Sequence, residues 1–379
     1  MTVWDDVVGQ EAAVAALRTA ATDPAAMTHA WLITGPPGSG RSIAARAFAA
    51  ALQCEAGGCG QCQACATTAA GTHPDVTIVA TEKVTISIEE VRDLIVLAQR
   101  APAQGRWRVI IVEDADRMVE RTSNVLLKAI EEPPPRTVWL LCSPSPQDVV
   151  TTIRSRCRNV VLRVPPVAEV AALLVARDGV DPLVADAAAR AAQSHVGLAR
   201  RLARDPDARE RRGRSLRLAA GIRGVGDAVL AAADLVEVAA AEAKAATADR
   251  DAAERSELLR TLGAEDGQTL PPTLRAQVRQ LEEDQKRRAT RAQRDVLDRT
   301  LVDLLSMYRD VLVLQLGAEV DLVNSAEEEA EVRRLAAEST AEQTVRRMDA
   351  IGETRERLAG NVAPLLAMEA MAVALRPQG

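Results

Sequence analysis

Residues 31–50 read WLITGPPGSGRSIAARAFAA, and their reading decides the fold. A short apolar run, WLIT, meets a turn rich in Gly and Pro. An alanine-rich helical pattern follows at once. Strand, glycine turn and helix in that order form the context that separates a phosphate-binding loop from a chance cluster of glycines. Within the pattern G-x-x-x-x-G-K-[ST], Gly35, Gly40 and Ser42 stand at fixed positions. Pro36, Pro37, Gly38 and Ser39 fill the turn, and Arg41 occupies the lysine position. Glycines let backbone N–H groups converge on an anion, and the helix N-terminus adds partial positive charge. Ser42 sits where a hydroxyl would ligate Mg²⁺. Arg41 keeps the charge, but its planar fork is larger and differently directed than an ammonium. The expectation is a loop that can take ATP or ADP with Mg²⁺ more readily than it can hydrolyse it.

Outward from this stretch, the first 165 residues repeat one rhythm. VTIV (76–79), RVIIV (108–112), VWLLC (138–142) and NVVL (159–162) are short, β-branched runs bounded by turn residues or charges. With WLIT they read as strands buried on both faces. Helical patterns lie between them at 10–21, 41–52, 88–99 and 121–131. Ser87-Ile88-Glu89-Glu90 reads as a capping box at the start of one. The βαβ alternation predicts an α/β P-loop domain, a parallel sheet flanked by helices. RVIIV runs into Glu113-Asp114. In nucleotide hydrolases an apolar strand ends in Asp then Glu, the first for Mg²⁺ and the second for the attacking water. Here the order is inverted, which lengthens one side chain and shortens the other. Misplacements of ~1 Å can cost on the order of 100-fold in rate.

CEAGGCGQCQAC contains Cys54, Cys59, Cys62 and Cys65. Four thiolates can close a tetrahedral shell around Zn²⁺ with no open position, so a structural zinc site is expected. An iron–sulfur cluster is the other reading. Cys142 and Cys157 stand alone and read as core thiols, and His73 reads as a loop residue.

Pro165-Pro166 closes the α/β region. Residues 166–208 contain no strand pattern and read as a small lid of three short helices. From 209 to 379 the pattern is helical, with a charged helical insertion near 237–285. GAEDGQTLPP (263–272) interrupts it. Leu297, Leu301, Leu304, Leu305, Tyr308, Val311 and Leu312 follow at helical spacing and mark one buried face. The run EEDQKRRATRAQR (282–294) reads as a solvated helix face.

The 379 residues provide ample material for buried cores. One Phe, one Tyr and four Trp make those cores aliphatic. A net charge of −6 argues against a protein that coats nucleic acid over its whole surface. No apolar run is long enough to cross a membrane. The start, MTVWDDVVGQ, lacks the pattern of a signal peptide. A cytoplasmic protein with no membrane partner is expected.

Several motifs together resemble one family. WDDVVGQEAAVAAL (4–17), THAWLITGPPGSGR (28–41) and especially SNVLLKAIEEPPPRTVWLLCSPSPQDVVTTIRSRC (123–157) resemble the bacterial DNA polymerase III clamp-loader subunits, gamma/tau and delta prime, of the AAA+ class. The likeness covers about residues 1–205. It implies an AAA+ domain at 1–165 with an inserted zinc module at 54–65, a lid at 166–208 and a collar at 209–379. It also implies a replisome-associated five-subunit ring with delta and gamma/tau, which acts on the sliding clamp and on primer-template DNA. Within the resemblance, Ser143 takes the sensor-1 position. Ser155-Arg156-Cys157 carries the arginine finger, with Arg156 reaching a neighbouring subunit's ATP. Gly197 falls at the sensor-2 arginine position, and a shift of three residues would bring Arg200 there instead.

Arg41 and Glu113-Asp114 resemble delta prime more than gamma/tau. The expected role is a subunit of the polymerase holoenzyme that helps load the clamp and has no catalytic activity of its own. An active gamma/tau-like ATPase is the alternative. A zinc-containing DNA-binding module is a further one, opposed by the acidic charge balance.

Overall fold

The computed structural model describes residues 2–81, 85–261, 272–318, 322, 326–360 and 362–377. They divide into two compact units, Met1–Arg204 and Asp205–Gly379.

The first unit is built on five strands: β1 Ala30–Thr34, β2 Val76–Val79, β3 Arg108–Val112, β4 Thr137–Ser143 and β5 Arg158–Val161. Every pairing is parallel, and the order across the sheet is β2-β3-β4-β1-β5. Six helices are interleaved with these strands: α1 Glu11–Thr22, α2 Arg41–Gln53, α3 Gln63–Ala69, α4 Ile88–Ala98, α5 Glu120–Glu131 and α6 Thr151–Arg154. Successive strand residues point to opposite faces. Trp31, Ile33, Val109, Ile111, Val138 and Leu140 therefore pack with α1 and α2, where Phe48 meets Trp31 edge-to-face at 5.1 Å. Leu32, Ile110, Trp139 and Leu141 pack on the other face with α4, α5 and α6.

Burial on both faces holds for β1, β3 and β4. The expectation fails at the edges. In β2 only Val76 is buried, and in β5 only Val160. These strands have a neighbour on one side alone. The Ser87–Glu90 capping box forms in full at the start of α4.

Asp75 and Gln53 tie the loop before β3 to this core. The buried Asp75 carboxylate accepts from the backbone N–H groups of Ala103, Gln104 and Gly105 at 2.6–2.7 Å and pairs with Arg108 at 3.0 Å. Gln53, the last residue of α2, accepts from the N–H groups of Arg106 and Trp107 and donates to the Trp107 carbonyl. Three short helices complete the unit: α7 Val167–Asp178, α8 Pro182–Ala191 and α9 Val196–Arg204.

The second unit is all helical: α10 Pro206–Ala220, α11 Val225–Thr261, α12 Pro272–Leu316, α13 Ala326–Glu338, α14 Ala341–Ala359 and α15 Pro364–Leu375. The 37-residue α11 and 45-residue α12 are roughly 55 and 68 Å long at 1.5 Å per residue. Leu297, Leu301, Leu304, Tyr308 and Val311 form the buried stripe of α12, with Leu305 half-buried beside them. Residues 263–271 of the expected break lie outside the described residues.

The charge run 282–294 is not wholly solvated. Arg288 is buried and forms a two-pronged ion pair with Glu254 of α11 at 2.9 and 2.5 Å, which pulls the Glu254 carboxyl down to about 2. Between Ala243 and Val296 the other buried positions among the described residues are Leu259 and Val278. An ion pair thus replaces apolar area where the two long helices have little of it.

Candidate nucleotide site and cysteine knuckle

The residues singled out at the phosphate loop and the acidic strand end meet at the carboxyl ends of adjacent strands. That edge is where ligands bind in open parallel α/β sheets. The loop Gly35–Gly40 follows β1, Glu113 and Asp114 follow β3, and Ser143 ends β4 beside Thr34 of β1. Gly38 and Gly40 have φ of +84° and +90°, the left-handed region that glycine enters freely. A side chain at Gly38 would also run into His195, whose Cα lies 2.7 Å from the position of the added Cβ. The residue just before α9 thus lies directly against the loop.

Arg41 opens α2, but its guanidinium turns back and donates to the carbonyl of Gly35 within its own loop. Burial lowers its pKa, while Cys142, Asp116 and Asp114 act in the other direction. Ser39 is buried, and its hydroxyl oxygen has no partner. Glu113 accepts from both Nε and Nη2 of Arg46, at 3.0 and 2.8 Å. Asp114 accepts from the Thr81 N–H at 3.2 Å and lies 3.7 Å from Arg117. Ser143 is buried and donates to the Ser145 carbonyl at 2.9 Å.

Some groups in this arrangement escape a reading of the motifs. Asp116, two residues past Asp114, is raised in pKa by burial. Asp114 adds to that rise, and Arg117 and Arg41 oppose it. The D-x-D spacing was its only trace in the sequence. Gln10 donates to the carbonyls of Ser39 and Arg163 and accepts from the Arg163 N–H. It fastens the N-terminal segment to the phosphate loop and to the end of β5. His195 has no signal in sequence at all, because only the fold brings it to Gly38.

Arg156 lies apart from the loop, on the turn between α6 and β5. Its Nε pairs with Glu131 at 2.5 Å, and its Nη1 donates to the Thr152 carbonyl and the Ser155 hydroxyl at 2.8 and 3.2 Å. Gly197 lies in the first turn of α9. Arg200 is committed to the buried carboxylate of Asp178 at 2.5 Å, with Arg204 3.8 Å away.

At the other end of α2, Cys54 is the C-cap and begins the cysteine knuckle. The sulfurs of Cys54, Cys59, Cys62 and Cys65 all lie within 4.8 Å of one another, and Cys54 is 3.7 Å from both Cys59 and Cys62. Zn–S bonds of ~2.3 Å in a tetrahedron place sulfurs ~3.8 Å apart, so the donor set fits zinc. Backbone N–H groups of Cys59 and Cys62 donate to sulfur at 3.4 Å. Burial disfavours the Cys54 thiolate, but the N–H groups of Cys59, Gly58 and Ala56 outweigh it and bring the thiol down to about 6. Burial raises Cys65. Trp4 donates to the Gly57 carbonyl, and the Val3 N–H to that of Gly58, so the N-terminal segment clasps the knuckle. Burial pushes the thiols of Cys142 and Cys157 up to about 12, in keeping with inert thiols. His73 is a buried loop residue whose Nδ1 accepts from the Asp75 N–H.

A β2-β3-β4-β1-β5 parallel sheet with helices on both faces and a phosphate loop after β1 defines an AAA+ domain. Residues 9–166 match the family model described as "DNA polymerase III, delta subunit". A DNA polymerase III subunit delta' from Pseudomonas aeruginosa is 41% identical over 135 residues, which cover 34% of this chain and 41% of that one. A gamma/tau subunit from Mycobacterium bovis is 34% identical over 193 residues, covering 47% of this chain and 33% of that one. A gamma subunit-related protein of Thermotoga maritima superposes with a TM-score of 0.39 at 16% identity, over 91% of this chain and 93% of that one. Over residues 9–166 this chain is similar to the clamp-loader subunits of DNA polymerase III. The matched segments span less than half the length of these two curated relatives. Among the described residues, no helix is long and apolar enough to cross a membrane.

Proposed function

We propose that this chain is a delta prime-like subunit of the DNA polymerase III clamp loader. In this role it does not hydrolyse ATP and supplies Arg156 in trans to a neighbouring ATPase subunit. Its partners are delta and gamma/tau in a five-subunit ring, with the sliding clamp and primer-template DNA engaged by the assembled complex. Residues 166–208 serve as the lid and 209–379 as the collar of that ring. The four cysteines hold a structural zinc. The phosphate loop keeps a cradle that can take ATP or ADP with Mg²⁺, without the groups for turnover.

The observation that supports this most is at Arg41. The group at the lysine position is half-buried and bonded to the Gly35 carbonyl of its own loop, so its charge is spent on the loop rather than on a phosphate. The inverted Glu113-Asp114 pair adds to this, with Glu113 already paired to Arg46. The pairing of Arg200 with Asp178 favours Gly197 at the sensor-2 position. The second reading, an active gamma/tau-like ATPase, is favoured by the 34% identity to gamma/tau subunits over 193 residues.

One experiment separates the two. The purified chain is assayed for ATPase alone and in the reconstituted complex with DNA. Negligible turnover alone is expected, together with a fall of about 10³-fold or more in complex turnover for Arg156→Ala. Turnover by the isolated chain that Arg41→Ala abolishes would establish the gamma/tau-like reading instead.

A further inference from the structure

We infer that Glu131 is a positioning residue for Arg156, fixing where the guanidinium sits before it meets a neighbouring phosphate. The inference rests on the reading of Arg156 as a finger in trans.

Glu131 is the last residue of α5, followed by Glu132. A helix C-terminus carries partial negative charge, so a carboxylate there works against the helix. Lys128 is the only basic residue in that last turn. Two acids at this end are therefore poor choices for α5 itself, and the position of Glu131 makes sense through what it touches. That partner is Arg156, at 2.5 Å through Nε.

The remaining contacts of Arg156 come from its own turn. Nη1 donates to the Thr152 carbonyl at 2.8 Å and to the Ser155 hydroxyl at 3.2 Å. A long, half-exposed side chain carries about 2 kcal/mol of rotamer entropy. A finger free to sample all its rotamers would meet a phosphate only a small part of the time. The ion pair and the two hydrogen bonds remove much of that freedom. Of the three, only Glu131 brings charge, and only Glu131 comes from outside the segment 152–156. It thereby couples the finger to α5.

The carboxylate also balances the guanidinium charge in the free subunit, where no phosphate is present.

The test uses the clamp loader reconstituted with its ATPase subunits, and compares Glu131→Ala, Glu131→Gln, Arg156→Ala and the double variant Glu131→Ala/Arg156→Ala. Steady-state ATP turnover with primed DNA and clamp is read alongside each chain's melting temperature. Glu131→Ala should lower kcat by about 10- to 100-fold, the scale of a misplaced catalytic group. KM for ATP should be unchanged. Glu131→Gln, which keeps an acceptor oxygen and the shape, should fall between Ala and wild type. In the Arg156→Ala background, Glu131→Ala should cause no further loss, because it acts only through Arg156. Wild-type or faster turnover of Glu131→Ala, with Arg156→Ala strongly impaired, overturns the positioning role and leaves the finger standing. A further loss in the double variant also overturns it, since Glu131 would then act by another route. Normal turnover of Arg156→Ala removes the finger and this inference together.

Discussion

Helix α2 has a candidate site at each end, and the two are built differently. At its C-terminus, Cys54 opens a knuckle whose four sulfurs have the types and spacing that zinc needs. At its N-terminus, Gly40 and Arg41 close a phosphate loop with left-handed glycines and an arginine at the lysine position. The knuckle end is anchored on every side, by Gln53 to the loop before β3 and by Trp4 and Val3 to the N-terminal segment. The phosphate-loop end is held by Gln10 and pressed by His195, and the hydroxyl of Ser39 is buried there without a partner. A structural site demands a full ligand set at all times, because a missing ligand costs folding. A cradle can outlive its chemistry, because glycines and a helix terminus serve the fold whether or not a phosphate is turned over.

The knuckle should give the largest effect. Structural zinc in small fingers contributes about 10 kcal/mol or more of apparent binding energy. Replacing Cys54 and Cys65 with Ser should reduce bound zinc from one equivalent to none, measured by elemental analysis. Amides of residues 54–69 should lose hydrogen-exchange protection, while the strands keep theirs. Retention of zinc by the double variant would break the contrast between the two ends.

Next comes Asp75, which anchors the loop that Gln53 also holds. Removing one partner of a buried, hydrogen-bonded pair costs about 3–5 kcal/mol, so Asp75→Ala should lower the unfolding free energy on that scale in denaturant melts. Burial raises the pKa of Asp75, but the three N–H donors and Arg108 overcome it, and the folded value lies below the ordinary one. The stabilisation is therefore fully present above the unfolded value of about 3.9 and is lost as pH falls through the depressed folded value. Wild type should show this acid-sensitive component, and Asp75→Ala should lack it.

Gly38→Ala sharpens the other side. A left-handed residue with a Cβ costs about 1–2 kcal/mol, and here the Cβ would also displace His195. A drop in melting temperature on that scale is expected, with loosened protection around residues 193–198. No change at all would mean that His195 does not press on the loop.

What could be read from the sequence follows the same division. The strands were legible because burial on both faces leaves unbroken apolar runs, as in RVIIV. The knuckle was legible because its ligands are contiguous in the chain. The phosphate loop was legible for the same reason. Groups brought in from a distance were not: Gln10 reaches Ser39 and Arg163 across 29 and 153 residues, and His195 meets Gly38 only in the folded unit. The exposure of β5 was missed because its residues are as β-branched as those of a central strand, and only the sheet order makes it an edge. Arg288 was read as solvated because a charge run carries no mark of which member will face another helix. The partner that buries it, Glu254, lies 34 residues away.

The smallest effect on stability, and the one most specific to the contrast, is expected from Arg41→Lys. The substitution removes one hydrogen bond to the Gly35 carbonyl, worth about 0.5–1.5 kcal/mol net, and relieves some burial of charge. The two contributions oppose each other, so the melting temperature should barely move. Nucleotide affinity should rise, because an ammonium on a flexible stem can leave the loop and reach an outer phosphate. Turnover should stay at background in the isolated chain. Glu113 would still be paired to Arg46, and the water-side carboxylate would still be one methylene short. Only when Glu113→Asp and Asp114→Glu are added should hydrolysis emerge. Turnover from Arg41→Lys alone would show that the acidic pair is competent as it stands. The lysine would then be the sole difference between the cradle and a working site.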